Sequence, residues 1–232
     1  MCKGGPLASG SSGSRPSPRP REAPPGKDFP ARYGPWALVT GASSGLGRAF
    51  AAALGGRGLN LLLVARRGDR LGELAAGLAA ASRGGHPEGG PRGAPGFEAL
   101  PVPLDLTAPD ALPRLREAAG EREIGLLVSN AGFGYCGGFA EQDPERVREM
   151  VRLNCEVPAL LARAFLPPMR ARGRGGMILV ASTAAYQATP WMALYGATKG
   201  FDLLLGEALG AEFAPRGVDV LTVSPGHTDT EF

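Results

Sequence analysis

Six short, continuously apolar runs separated by stretches with helical periodicity leave this chain few folds to choose from. The runs occupy residues 36–40, 59–65, 97–104, 124–129, 177–181 and 218–223, and the helical stretches 45–57, 69–81, 109–121, 143–172 and 191–215. A strand that is apolar on both sides must be covered on both faces, and intervening helices supply that cover. The alternation therefore predicts an α/β fold with a doubly wound parallel sheet, ordered 3-2-1-4-5-6 by right-handed crossovers. The 232 residues, 44% of them apolar, suit one such domain with a substantial core.

Two stretches fall outside the alternation. Nineteen of residues 1–35 are Pro, Gly or Ser, too polar to repay ordering, so a disordered tail precedes the α/β domain at 36–232. Residues 82–96 hold six Gly and three Pro and read as a flexible loop inserted in that domain. The tail also explains the charge. Residues 1–35 carry six basic and two acidic side chains, a larger excess than the whole chain's +3. The domain is thus slightly acidic, and no basic stripe with interleaved aromatics points to nucleic acid. Cys2, Cys136 and Cys155 are odd in number and lack zinc-ligand spacing, so no disulfide framework or metal site is expected. No apolar run suits a signal peptide or a membrane span, and a cytoplasmic location without membrane partners is the expectation.

The first apolar run leads directly into Thr40-Gly41-Ala42-Ser43-Ser44-Gly45-Leu46-Gly47, which opens a helix. Glycines there permit a tight turn and close backbone approach to a pyrophosphate, while the helix N-terminus offers unpaired N–H groups. The second run ends in Arg66-Arg67, with no carboxylate before Asp69. Guanidinium binds a 2′-phosphate in a fork and a carboxylate would repel it, so NADP(H) is expected over NAD(H), with NAD(H) possible. The alternative is that the two arginines are merely a solvated helix approach. Further along, Tyr195 and Lys199 stand at i, i+4 on one helix face, where an ammonium could lower the phenol's pKa and make it a proton donor and acceptor.

Taken together, these motifs resemble the short-chain dehydrogenase/reductase family. The match rests on the T-G-x-x-x-G-x-G pattern of residues 40–47, Asn130-Ala131-Gly132 after the fourth run and Ser182 thirteen residues before Tyr195. Tyr195-x-x-x-Lys199 and Pro225-Gly226 after the sixth run complete it. The resemblance implies that Tyr195 protonates a carbonyl, that Lys199 lowers its pKa and holds the nicotinamide ribose, and that Ser182 stabilises the substrate oxygen. Asn154 matches the fourth catalytic position. For cofactor contacts it implies Thr40, Gly41, Ser43, Ser44, Gly45, Leu46 and Gly47, then Asp105 and Leu106 beside adenine. Asn130, Ala131, Gly132, Pro225, Gly226, Thr228 and Thr230 complete that set. Ser182 could instead be an ordinary strand-end serine, and His227 reads as a loop residue. Cys136 could line the pocket without a catalytic role.

Pro158 adds a reason for Asn154 that is independent of the resemblance. Having no N–H, it cannot bond the carbonyl of residue 154, so the helix should kink there and free that carbonyl to hold a relay water. The family's pattern runs on into a substrate loop, a further helix and a seventh strand, so the chain is expected to lack that strand and much of the substrate lid. Three readings follow. The first is an NADP-dependent oxidoreductase acting on a small-molecule carbonyl or alcohol. The second is a non-catalytic NADP-binding module inactivated by loss of the lid. The third is a subunit that pairs through its long helices as a homodimer or homotetramer. The segment 133–139, rich in Gly and aromatics, suggests an apolar pocket wall that would admit acyl or steroid-like carbonyls.

Overall fold

The computed structural model describes residues 29–84, 96–226 and 228. Six parallel strands form one sheet ordered β3-β2-β1-β4-β5-β6. They are β1 Trp36–Thr40, β2 Asn60–Ala65, β3 Ala99–Pro103, β4 Ile124–Ser129, β5 Gly175–Val180 and β6 Val218–Val223. The expected architecture is thus present, with no seventh strand among the described residues. Alternate side chains of each strand serve opposite faces. Trp36 and Leu38, with Leu62, Val64 and Leu127, pack beneath α4 (Ala111–Ala119) and α6 (Val157–Arg172). Ala37 and Val39, with Leu61, Leu63, Leu126 and Val128, pack beneath α2 (Gly45–Gly55) and α3 (Gly68–Gly84). Both strand faces are buried, which is why the runs lack polar alternation.

Four local departures have physical causes. The edge strand β3 is shorter than its apolar run and contains Pro101 and Pro103, residues without N–H that suit a strand paired on one side only. The α3 helix runs on to Gly84, so residues 82–84 are helical rather than loop, and 85–95 lie outside the described residues. The helix expected over 143–172 is divided into α5 (Pro144–Val151), a π turn (Arg152–Glu156) and α6. Its ladder is reset by a wide turn, with the Val157 N–H donating to the Arg152 carbonyl just before Pro158, whose missing N–H is harmless in a first helical turn.

The fourth departure corrects the boundary of the expected tail. Residues Phe29–Tyr33 form a short helix, α1, inside the stretch read as disordered. Arg32 Nε and the Tyr33 hydroxyl each donate to Asp219 Oδ2 at 2.7 Å, and Arg174 Nη1 donates to the Ala31 carbonyl at 3.0 Å. The helix is held by β6 and the β5 approach, not by its own five residues, which are too few to be helical alone. The rest of the expected tail, residues 1–28, lies outside the described residues.

Candidate active site

The first βα turn is held from beneath. Thr40 is fully buried, and its hydroxyl accepts from the Asn130 and Ala131 N–H groups at 2.9 and 3.0 Å while donating to the Val128 carbonyl at 3.2 Å. Asn130 Nδ2 returns a bond to the Thr40 carbonyl at 3.0 Å. Thr40 and Asn130 therefore tie the ends of β1 and β4 together, so the Thr40 side chain has no freedom to reach a ligand. Gly41, at φ 66°, has room for no side chain, because a Cβ would stand 2.7 Å from Asn130 Nδ2. A Cβ on Gly47 would meet the same atom at the same distance. The turn is thus pressed against the β4 end, leaving its outer side open at the N-terminus of α2.

That outer side faces a cleft of about 290 Å³ lined by Gly41, Ser43, Ser44, Arg66, Arg67 and Asp105, among others, with Leu106, Asn130, Ala131 and Gly132 completing it. Arg67 donates to Ser43 Oγ and Ser44 Oγ at 3.1 and 3.0 Å, joining the end of β2 to the glycine turn. Arg66, also exposed, pairs with Glu149 at 3.6 Å. Burial pushes the Asp105 carboxyl up, but the Thr107 hydroxyl and N–H, with the nearby Arg66 charge, outweigh it and hold the group below its ordinary range. The result is a polar end with two guanidinium groups and two hydroxyls, suited to a phosphate monoester on a nucleoside.

A second cleft, of about 390 Å³, opens on the other side of Asn130 and Gly132. Its lining brings together Ser182, Tyr195 and Lys199 with Leu46, Pro225, Gly226 and Thr228. Ser182 begins a single turn after β5, its Oγ accepting from the Ala184 N–H at 3.2 Å, and its hydroxyl is hydrogen-bonded to Tyr195. Tyr195 and Lys199 project from α7 (Ala193–Phe213), both nearly buried. His227 and Thr230 lie outside the described residues.

Three placements differ from the sequence expectation. The Tyr195 phenol is pushed up from its ordinary value, not down: burial is the main cause, and the Asp202 carboxylate adds to it against the Ser182 bond. Lys199 is engaged elsewhere, donating to the Val180 carbonyl at 2.7 Å and to Asp202 Oδ2 at 3.0 Å. Asn154 is buried and lines neither cleft. Its amide grips residue 133, Nδ2 donating to the Phe133 carbonyl at 2.9 Å and Oδ1 accepting from the Phe133 N–H at 3.2 Å. Its Nδ2 also donates to Thr198 Oγ1 at 3.1 Å, which in turn donates to the Tyr195 carbonyl at 2.8 Å. Asn154 thus locks the loop after β4 to the helix that carries Tyr195.

Two residues escaped sequence reasoning. They are Thr198, which no motif marks, and Asp202, whose i, i+3 spacing from Lys199 was a usable signal.

Among the described residues, no cluster of His, Cys, Asp or Glu could hold a metal ion, and no helix is long and apolar enough to cross a membrane. Residues 35–232 match the sequence model of the short chain dehydrogenases. A 7beta-hydroxysteroid dehydrogenase of Clostridium sardiniense is 31% identical over 203 residues, covering 88% of this chain and 73% of that protein. The human "inactive hydroxysteroid dehydrogenase-like protein 1" is 27% identical over 212 residues, covering 88% of this chain and 58% of its own length. This chain therefore spans little more than half of some relatives it matches. Among solved structures, a short-chain dehydrogenase of Sphingobium yanoikuyae in complex with NADPH superposes with a TM-score of 0.73 at 37% identity, covering 85% of this chain and 72% of that one.

Proposed function

This chain belongs to the short-chain dehydrogenase family, and from that premise we propose that it is an NADP-dependent oxidoreductase acting on a carbonyl or secondary alcohol. The observation that carries the proposal is the hydrogen-bonded Ser182–Tyr195 pair lining a cleft with Lys199, next to a glycine turn that ends in two arginines. The guanidinium groups of Arg66 and Arg67, with the Ser43 and Ser44 hydroxyls, would bind the 2′-phosphate, which favours NADP(H) over NAD(H). Asp105 and Leu106 would border adenine. The backbone at Gly41, Gly45 and Leu46 to Gly47, with the N-terminus of α2, would take the pyrophosphate. Ala131 and Gly132, with Pro225, Gly226 and Thr228, would border the nicotinamide half, and Lys199 its ribose.

When bound, the dinucleotide supplies the hydride. The protein's own task is to place the carbonyl and manage its oxygen. Ser182 would donate to that oxygen as negative charge builds there, where a hydrogen bond lowers the barrier most. Tyr195 would then give up its proton: the phenol O–H bond breaks, the alcohol O–H bond forms, and water reprotonates the phenolate. Asn154 and Thr198 act on the geometry, holding the cleft wall and the Tyr195 backbone together. Thr40 and Asn130 act beneath the turn. The exposed rings of Tyr186 and Trp191, each next in sequence to a residue lining the cleft (Gln187 and Met192), favour an apolar carbonyl compound. Exposed Leu204, Phe201 and Leu160 on α7 and α6 favour pairing of two copies through those helices.

The test is consumption of NADPH with a panel of apolar ketones and aldehydes, comparing wild type with Tyr195→Phe. Removing a general acid should cost about 10²- to 10⁴-fold in rate. Equal rates in the two proteins would overturn the assignment.

A further inference from the structure

A row of charges runs from the arginine end of the first cleft to the loop after β4. Arg66 lines that cleft, and its Nη1 stands 3.6 Å from Oε1 of Glu149, which lies on α5. The other carboxylate oxygen, Oε2, accepts from Arg146 Nη1 at 2.5 Å, and the Arg146 guanidinium sits over the Phe133 ring, 4.5 Å from its centre. Glu149 is thus shared between two arginines, unequally. Its side chain keeps 26% of its surface and is held by Arg146, whereas Arg66 keeps 66% and is beyond hydrogen-bond distance of the carboxylate. Glu149 is the fixed partner, and Arg66 is the one free to turn. A second carboxylate near Arg66, that of Asp105, is engaged by Thr107, whose N–H and hydroxyl donate to Oδ1 at 2.9 and 2.7 Å.

We propose that Glu149 is a specificity-determining residue for the cofactor: its carboxylate competes with a 2′-phosphate for the Arg66 guanidinium, narrowing the gap in affinity between NADP(H) and NAD(H). The proposal rests on Arg66 being a ligand of that phosphate. A guanidinium that turns to a phosphate must leave its carboxylate, so the lost ion pair is subtracted from NADP(H) binding alone. NAD(H) carries a hydroxyl in that place and leaves Arg66 with Glu149. Exposed ion pairs are weak, which sets the scale of the competition at about 2- to 5-fold in affinity. Arg146 acts on the same balance with the opposite sign, because it draws the Glu149 charge away from Arg66 and so favours the phosphate.

The test is equilibrium binding of NADPH and NADH to the full chain at low salt, read by cofactor fluorescence, and it needs no turnover. Glu149→Gln keeps the shape of the side chain and removes its charge. It should tighten NADPH about 2- to 5-fold and leave NADH within about 1.5-fold of wild type. Arg146→Gln should weaken NADPH and again leave NADH nearly unchanged. Opposite signs from two residues one turn apart on the same helix are not what a purely structural role would give. An unchanged or weaker NADPH constant in Glu149→Gln, an equal gain for NADH, or no weakening of NADPH in Arg146→Gln overturns the proposal.

A double-mutant cycle with Arg66→Ala shows whether the effect passes through Arg66. Arg66→Ala alone should weaken NADPH at least about 10-fold, as expected for a lost charge-assisted bond. In that background Glu149→Gln should bring no gain, and a gain of the same size as in wild type overturns the proposal. The cycle also separates two failures. If Arg66→Ala leaves NADPH binding unchanged, the phosphate assignment fails and this inference fails with it. If Arg66→Ala weakens NADPH but Glu149→Gln does not tighten it, the assignment stands and the inference alone is overturned.

Discussion

Replacing Thr40 by Val tests whether the glycine turn is held from beneath by one hydroxyl. Valine keeps the shape and β-branching of threonine, so strand propensity and volume are nearly unchanged. Lost are two N–H bonds from Asn130 and Ala131 and one bond to the Val128 carbonyl. A stranded buried polar group costs about 1–3 kcal/mol. Asn130 and Ala131 are only half-buried, so the lower end applies to their N–H groups and the total should be roughly 2–4 kcal/mol. For a domain of this size each kcal/mol moves Tm by about 2–4 °C, so Thr40→Val should melt roughly 5–15 °C below wild type. Thr40→Ser, which keeps the hydroxyl and loses one buried methyl, should cost only about 1 kcal/mol. Thermal melts and urea titrations read stability, and NADPH fluorescence reads the turn. Val should weaken NADPH binding more than Ser. If Val proves as stable as Ser, the hydroxyl is not the tie that links β1 to the β4 end.

Other outcomes follow from the charges around the clefts. Arg66→Asp should reduce the preference for NADPH over NADH by at least about 10-fold, since a charge-assisted bond contributes about 1.5–3 kcal/mol; an unchanged ratio of rates with the two cofactors would refute the phosphate assignment. Burial and the Asp202 carboxylate push the Cys155 thiol up to about 11 from 9.0, whereas Cys136 is exposed. Alkylation of the folded protein at pH 8, read by mass spectrometry, should mark Cys136 and spare Cys155, and equal labelling would contradict that placement. The same shift has a stability sign. The folded state binds the Cys155 proton more tightly than the unfolded chain, so its contribution is intact below pH 9 and is lost as pH rises towards 11. Urea midpoints of wild type should fall faster over that window than those of Cys155→Ala.

The fold was legible because burial on both faces leaves an unbroken apolar run, and six such runs between helices admit few arrangements. Its site was legible where function needs a fixed spacing, as in the glycine turn, Ser182 and the Tyr195–Lys199 pair. What escaped reading depends on contacts far apart in sequence or on burial. The α1 helix looks like disordered composition until Asp219, far along the chain, is seen to accept from Arg32 and Tyr33. Asn154 enters the sequence reading through the family resemblance and its backbone carbonyl, while the bonds of its side chain to Phe133 and Thr198 join elements that spacing does not connect. The expected lowering of the Tyr195 pKa failed because a pairwise argument counted Lys199 and missed the burial of the phenol, to which the Asp202 carboxylate adds.

The central claim is that Tyr195 protonates a carbonyl as a hydride arrives from NADPH. Its most direct test is isotopic. The protein is given an apolar ketone with NADPH deuterated at the transferring position of the nicotinamide, and the alcohol is examined by mass spectrometry. The account predicts one deuterium on the carbinol carbon with wild type and about 10²- to 10⁴-fold less product with Tyr195→Phe. Unlabelled alcohol, or equal labelled product from both proteins, would contradict it.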